Sequence, residues 1–159
     1  MKTKIHATSF LSSFLLVALA VIITQPAAHS ADTEKTVVII ANDTIKFNIT
    51  KIEASPGQKI HVQLRNEGTM PKESMGHNWI LIDSEAEATH YATAAMAARD
   101  AAYQPKDLAT HVLASIPLLG PKEVGDVTFV APTKPGKYPF ICSCSGHSMA
   151  GMRGDLIVK

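Results

Sequence analysis

Cysteine is nearly absent: the 159-residue chain has two, Cys142 and Cys144, separated by a single serine. They cannot staple distant parts of a fold, which excludes a disulfide scaffold. Excess charge of one sign is also missing, with 15 Lys and Arg against 14 Asp and Glu. That balance offers no basic face for nucleic acid. The one long apolar stretch, Phe10 to Ile23, is shorter than the roughly 20 residues a membrane-spanning helix needs. Methionine-rich or histidine-rich tracts, which would suggest metal storage, are lacking too.

The short apolar stretch has another use. Lys2 and Lys4 precede it, and Pro26 and Ala28-His29-Ser30-Ala31 follow it as a break and a small-residue cleavage site. This is the pattern of an export signal, whose apolar part spans about 7–15 residues. Residues 1–30 are therefore expected to be removed after Ser30, with no stable membrane anchor left behind. Residues 31–159 then form one domain, long enough for a continuous core. Without Lys2 and Lys4 the domain carries 13 basic and 14 acidic side chains, a formal charge of −1. Two thiols in an oxidising compartment call for a purpose other than cross-linking, and metal ligation supplies one.

From Thr36 onward short apolar runs alternate with turn residues. Val37-Val38-Ile39-Ile40, Ile45 to Ile49, Lys59 to Arg65, Asn78 to Ile82, His111 to Ala114, Asp126 to Val130, Lys137 to Cys142 and Asp155 to Lys159 read as strands. In Lys59 to Arg65, Ile60, Val62 and Leu64 share one face and His61 lies on the other. Ser84 to Tyr103 is alanine-rich, and Ser84 and Glu87 stand in capping-box positions, so a helical insert is expected. His90 and Met96 within it read as surface or packing residues. Seven or eight strands at this spacing make an all-β Greek-key sandwich or barrel with a helical flap.

One loop gathers the chemistry. Cys142-Ser143-Cys144-Ser145-Gly146-His147-Ser148-Met149-Ala150-Gly151-Met152 offers thiolate, imidazole and thioether between two strands. Trigonal His₂Cys with a weak axial Met suits copper in both oxidation states. Zinc prefers four strong ligands, and methionine is not in its usual set. The loop holds one histidine, so a second must come from elsewhere, and His77 at the mouth of a buried strand is best placed.

Met75-Gly76-His77-Asn78-Trp79, with Tyr138-x-Phe140-x-Cys142-x₃-Gly146-His147-Ser148 and a following methionine, resembles azurin and its relatives among the blue copper proteins, the cupredoxins. Asn42 to Asn48 resembles the azurin second strand, and the insert from Ser84 lies where azurins carry a helical flap. The resemblance implies one copper bound by His77, Cys142 and His147, with Met152 axial and the Gly76 carbonyl weakly opposite. It also implies electron transfer through the edge of His147, for which Met75, Met149 and Ala150 supply a patch. Three departures stand out. Cys142-x₄-His147-x₄-Met152 is rusticyanin-like, one residue longer before the methionine than in azurin. The N-terminal disulfide of azurins is missing. Cys144 and Ser145 replace Phe and Pro, and Cys144-x₂-His147-x₄-Met152 matches plastocyanin spacing as well. In both families the ligand falls four residues after the tyrosine, which favours Cys142 and leaves Cys144 near the rim as a packing residue, auxiliary ligand or oxidisable thiol. Asn78 is suited to tie the two ligand loops together, and Ser145 restores an N–H that can reach the Cys142 sulfur.

The function so implied is one-electron transfer in the periplasm by a monomer whose partners are redox proteins such as c-type cytochromes or a copper or haem reductase. Two alternatives are a copper store or chaperone, suggested only by Cys144, and an enzyme related to red-copper proteins. The enzyme needs an open coordination position or a second metal site.

Overall fold

The computed structural model describes residues 33–159, so the expected export signal and its cleavage site lie outside the described residues. Nine strands form two sheets: β1 (Lys35–Asn42), β2 (Lys46–Phe47), β3 (Lys51–Ala54), β4 (Lys59–Asn66), β5 (His77–Ile82), β6 (Val112–Leu119), β7 (Val124–Val130), β8 (Gly136–Ile141) and β9 (Arg153–Val158). One sheet has the order β2-β1-β4-β7 and the other β3-β9-β8-β5-β6. The β1/β4 and β3/β9 pairs are parallel and the rest antiparallel.

The sheets face each other because their strands alternate. Val37, Ile39 and Ala41 of β1, Ile60, Val62 and Leu64 of β4, and Leu156 and Val158 of β9 bury one face in a common core, as a period of two requires. His61 lies on the other face, its ring 2.9 Å from Thr128 across the sheet. β5 differs in being buried throughout. Trp79 and Leu81 enter the core between the sheets. Ile80 and Ile82 enter a second core with Ile141 and with Ala88, Tyr91 and Ala92 of the helix Glu85–Ala95, so the continuous apolar run has one face for each core. Helix α1 covers Lys72–Met75 and α2 covers Glu85–Ala95.

Some details differ from the sequence reading. Among the described residues there are nine strands rather than seven or eight: the run from Ile45 to Ile49 shortens to β2, and β3 at Lys51–Ala54 was not among the expected strands. β6 continues through Pro117, where a break was expected. It forms the sheet edge, and the register slips from His77↔Leu119 to Trp79↔Ile116. Pro117 and Leu118 thus oppose Asn78 alone, a bulge that accommodates a residue with no N–H.

Ser84 caps α2 as expected, its Oγ accepting from Glu87 N at 3.3 Å. The insert then passes through a 3-10 turn at Arg99–Ala101 and left-handed Ala102 and Tyr103 (φ 53° and 61°). His90 and Met96 are exposed. A second 3-10 segment, Lys106–His111, brings His111 Nδ1 to 2.9 Å from Asp83 Oδ2. The hydrogen bond to Asp83 and the charges of Glu87 and Asp83 raise the His111 pKa against some desolvation. A raised folded pKa adds stability below the unfolded value of about 6.5 and loses it as pH rises through the folded value. In chelator-treated buffer, where only protons compete for the ring, amide protection factors in α2 are expected to fall as pH rises through that window. A flat profile would show that the tie does not hold the flap.

Candidate metal centre

His77 begins β5 beside the bulge, Cys142 directly follows β8, and His147 lies in the loop between β8 and β9. The ligand atoms of these three buried side chains all lie within 4.8 Å of one another. Cys142 Sγ is 3.9 Å from His77 Nδ1 and 3.5 Å from His147 Nδ1, and the two rings stand 5.1 Å apart at 44°. Donors sharing one ion at about 2.1 Å for nitrogen and 2.3 Å for sulfur stand about 3.6–3.8 Å apart at open angles, close to both separations.

The loop is closed at its base. Cys142 N donates to Met152 O at 3.0 Å, and Met152 N donates to His147 O at 2.9 Å. Gly151, at φ +95°, makes the turn that allows this, a conformation open to glycine at little cost. Met152 is thereby fully buried beside Cys142. Gly76 is needed for another reason: a Cβ there would stand 2.5 Å from the Lys72 carbonyl and 3.0 Å from Leu118.

Electrostatics favour a soft cation. Burial, aided by neighbouring His147, holds the His77 pKa down to about 4, and burial lowers that of His147. Both rings are therefore neutral, with lone pairs to donate. Burial pushes the Cys142 thiol up to about 12, against the pull of hydrogen bonds from the Asn78 and Cys144 backbone N–H groups. A thiolate here needs a positive partner, and a metal that displaces its proton supplies one. His77 Nε2 is buried without a close hydrogen bond, and the Asn42 carbonyl is the backbone acceptor that favours its N–H. Such an acceptor orients a metal-binding imidazole. Two imidazoles and one thiol suit copper, whereas calcium and magnesium require oxygen ligands.

Asn78 links the two loops. Its Oδ1 accepts from Ser143 N and its Nδ2 donates to Ser143 Oγ, both at 2.8 Å, while Ser143 Oγ donates to Tyr103 O at 2.7 Å. Asn78→Ala is expected to cost the apoprotein about 1–3 kcal/mol, since it orphans the buried Ser143 N–H. Urea denaturation measures this, and a loss below about 0.5 kcal/mol, the range of ordinary surface substitutions, would contradict it.

Cys144 is fully buried, not at the rim. Burial pushes its thiol up to about 11, while Arg99 and a hydrogen bond with Tyr103 act the other way. It thus faces the flap, outside the His77–Cys142–His147 group. Ser145 is exposed and left-handed at φ 37°, and the N–H groups on the Cys142 sulfur are those of Asn78 and Cys144. Proline at 145 would require φ near −65°, so Ser145→Pro would rebuild the turn rather than delete one donor. His147 retains 4 % exposure and His77 none, so the histidine edge expected at the surface is nearly covered. Met149 is 60 % exposed, Ala150 is exposed and Met75 half-buried. Asn42, Tyr103 and Ser143 were absent from the sequence-derived site. The first two lie far along the chain, and only Ser143, next to Cys142, carried a visible hint.

Residues 34–159 match the family described as copper binding proteins, plastocyanin/azurin family. Azurin from Pseudomonas fluorescens biotype C is 36% identical over 126 residues, covering 77% of this chain and 97% of that one. Azurin from Pseudomonas denitrificans is 38% identical over 129 residues, covering 79% and 99%. Among solved structures, Na-dithionite-reduced auracyanin from Roseiflexus castenholzii aligns with a TM-score of 0.70 at 28% identity, covering 79% of this chain and 97% of that one.

Proposed function

The chain belongs to the plastocyanin/azurin family of copper-binding proteins, and from that premise we propose that it is a one-electron carrier with a single copper held by His77, Cys142 and His147. Met152 and the Gly76 carbonyl would complete the ligand set, the thioether favouring the reduced form of the metal. The observation that carries this reading is the buried triangle of two neutral imidazoles and one thiol. Bound copper supplies a one-electron couple. The chain's task is to hold the donors still between oxidation states. His77 is fixed by β5, and Cys142 by its N–H on the Met152 carbonyl. The two N–H groups on Sγ spread the thiolate charge and so tune the potential.

Electrons pass through His147, the ligand nearer solvent, with Met149, Ala150 and Met75 around it. Weak redox encounters need only small contact areas, which suits a patch of this size. The partners are redox proteins such as c-type cytochromes or a copper or haem reductase, met by a monomer exported to the periplasm after cleavage behind Ser30. A carrier, rather than an enzyme, fits a centre whose donors all come from the protein and whose surroundings are closed.

Voltammetry of the copper-loaded protein is expected to give a reversible one-electron wave with no catalytic current on adding nitrite or oxygen. A catalytic current, or no wave, would overturn the carrier reading. Cys144→Ser is expected to leave the visible spectrum essentially unchanged, since Cys144 faces Tyr103 and the flap. Loss of colour in that variant would move the sulfur ligand from Cys142 to Cys144.

A further inference from the structure

The flap ends in a strained turn that reaches the thiolate loop. Ala102 and Tyr103 both lie in the left-handed region, at φ 53° and 61°, which a bulky side chain such as tyrosine seldom enters. Conformations of this kind persist only where the surroundings hold them, and they gather at functional sites. Three ties hold this one. Tyr103 N donates to Ala98 O at 2.9 Å, Tyr103 O accepts from Ser143 Oγ at 2.7 Å, and the ring is buried in the core between the sheets.

Ser143 carries that contact towards the sulfur. It stands between Cys142 and Cys144 at φ −85° and ψ −7°, in the sparsely allowed bridge region. There the chain folds back on itself, and the Cys144 N–H is one of the two on the Cys142 sulfur. The Ser143 side chain is fully committed. A hydroxyl has one proton to give, and Tyr103 O takes it, which leaves the oxygen to accept from Asn78 Nδ2 at 2.8 Å. Ser143 N donates to Asn78 Oδ1 at 2.8 Å. Asn78 thus holds Ser143 from the β5 side and Tyr103 holds it from the flap.

We propose that Tyr103 is a positioning residue for the copper thiolate: its left-handed backbone keeps its carbonyl on Ser143, and Ser143 so fixed keeps the Cys144 N–H on the Cys142 sulfur. The inference rests on the electron-carrier reading for its consequence. A sulfur that loses an N–H gives more of its charge to the oxidised metal, which lowers the reduction potential.

Two substitutions separate backbone conformation from packing. Tyr103→Val and Tyr103→Asn both remove the buried ring, but valine opposes a left-handed backbone and asparagine accepts one. Amide hydrogen exchange of the copper-free protein is measured alongside voltammetry of the copper-loaded protein. Tyr103→Val is expected to speed exchange of the Cys144 N–H at least about tenfold and to shift the potential downward. Tyr103→Asn should stay near the wild type in both. Ser143→Ala, which leaves the tyrosine packed, should repeat the valine result, so the test stands even if the valine variant does not fold. Equal exchange rates and equal potentials in the valine and asparagine variants, or wild-type values in Ser143→Ala, would overturn the proposal. A missing voltammetric wave would speak against the carrier instead, and exchange in the copper-free protein would still decide the role of Tyr103.

Discussion

Cys142→Ser is expected to abolish the visible charge-transfer absorption and to weaken copper binding by more than about 100-fold, since loss of an outer partner alone costs about 10–100-fold. The argument is local. Cys142 is the one thiol whose sulfur lies within 4 Å of both imidazoles, at 3.9 and 3.5 Å. Serine replaces a polarizable sulfur by a hydroxyl that burial keeps protonated, and two neutral imidazoles remain without the anionic donor. The fold should survive, because serine is smaller and Cys142 N still reaches Met152 O. Titration of copper into the variant, followed by absorption and by competition with a chelator, measures the effect. Retained colour would mean that the other thiol, Cys144, is the ligand.

Trp79→Ala is expected to lower the unfolding free energy by about 3–5 kcal/mol, the usual cost of emptying a buried large aromatic site. Trp79 is fully buried two residues after His77, with its ring 5.5 Å from Phe140 and 6.0 Å from Phe129. It therefore joins the core between the sheets to the strand that presents His77. Against a typical total of about 5–15 kcal/mol, such a loss is severe. Trp79→Phe should cost clearly less. It keeps much of the ring packing and removes Nε1, which is buried without a hydrogen-bond partner, an arrangement that costs about 1–3 kcal/mol. Urea denaturation of both variants measures this. A phenylalanine variant as damaged as the alanine one would show that Trp79 acts through more than packing.

These effects converge on elements that the sequence made legible to different degrees. Ile60, Val62 and Leu64 announced β4 by alternation, because one face of that strand meets the core and the other meets water. β5 was visible as a continuous apolar run, but periodicity alone could not assign Ile80 and Ile82 to a separate core under the flap. The loop from Cys142 to Met152 was readable because its donors are adjacent in sequence. Pro117 misled for a physical reason: proline ends most strands, yet at an edge and in a bulge its missing N–H costs nothing. Cys144 looked peripheral because its neighbours are polar, and only the fold reveals that Tyr103 and the flap cover it. The Asn42 carbonyl facing His77, and the His111 bridge from Asp83 to Glu87, depend on long-range packing that leaves no local signal.

The visible absorption spectrum of the oxidised, copper-loaded protein tests most directly that His77, Cys142 and His147 together form an electron-transfer copper centre. An intense thiolate-to-copper charge-transfer band at one copper per chain is the predicted result. A protein that binds copper stoichiometrically yet stays colourless, or absorbs only weakly, would contradict it.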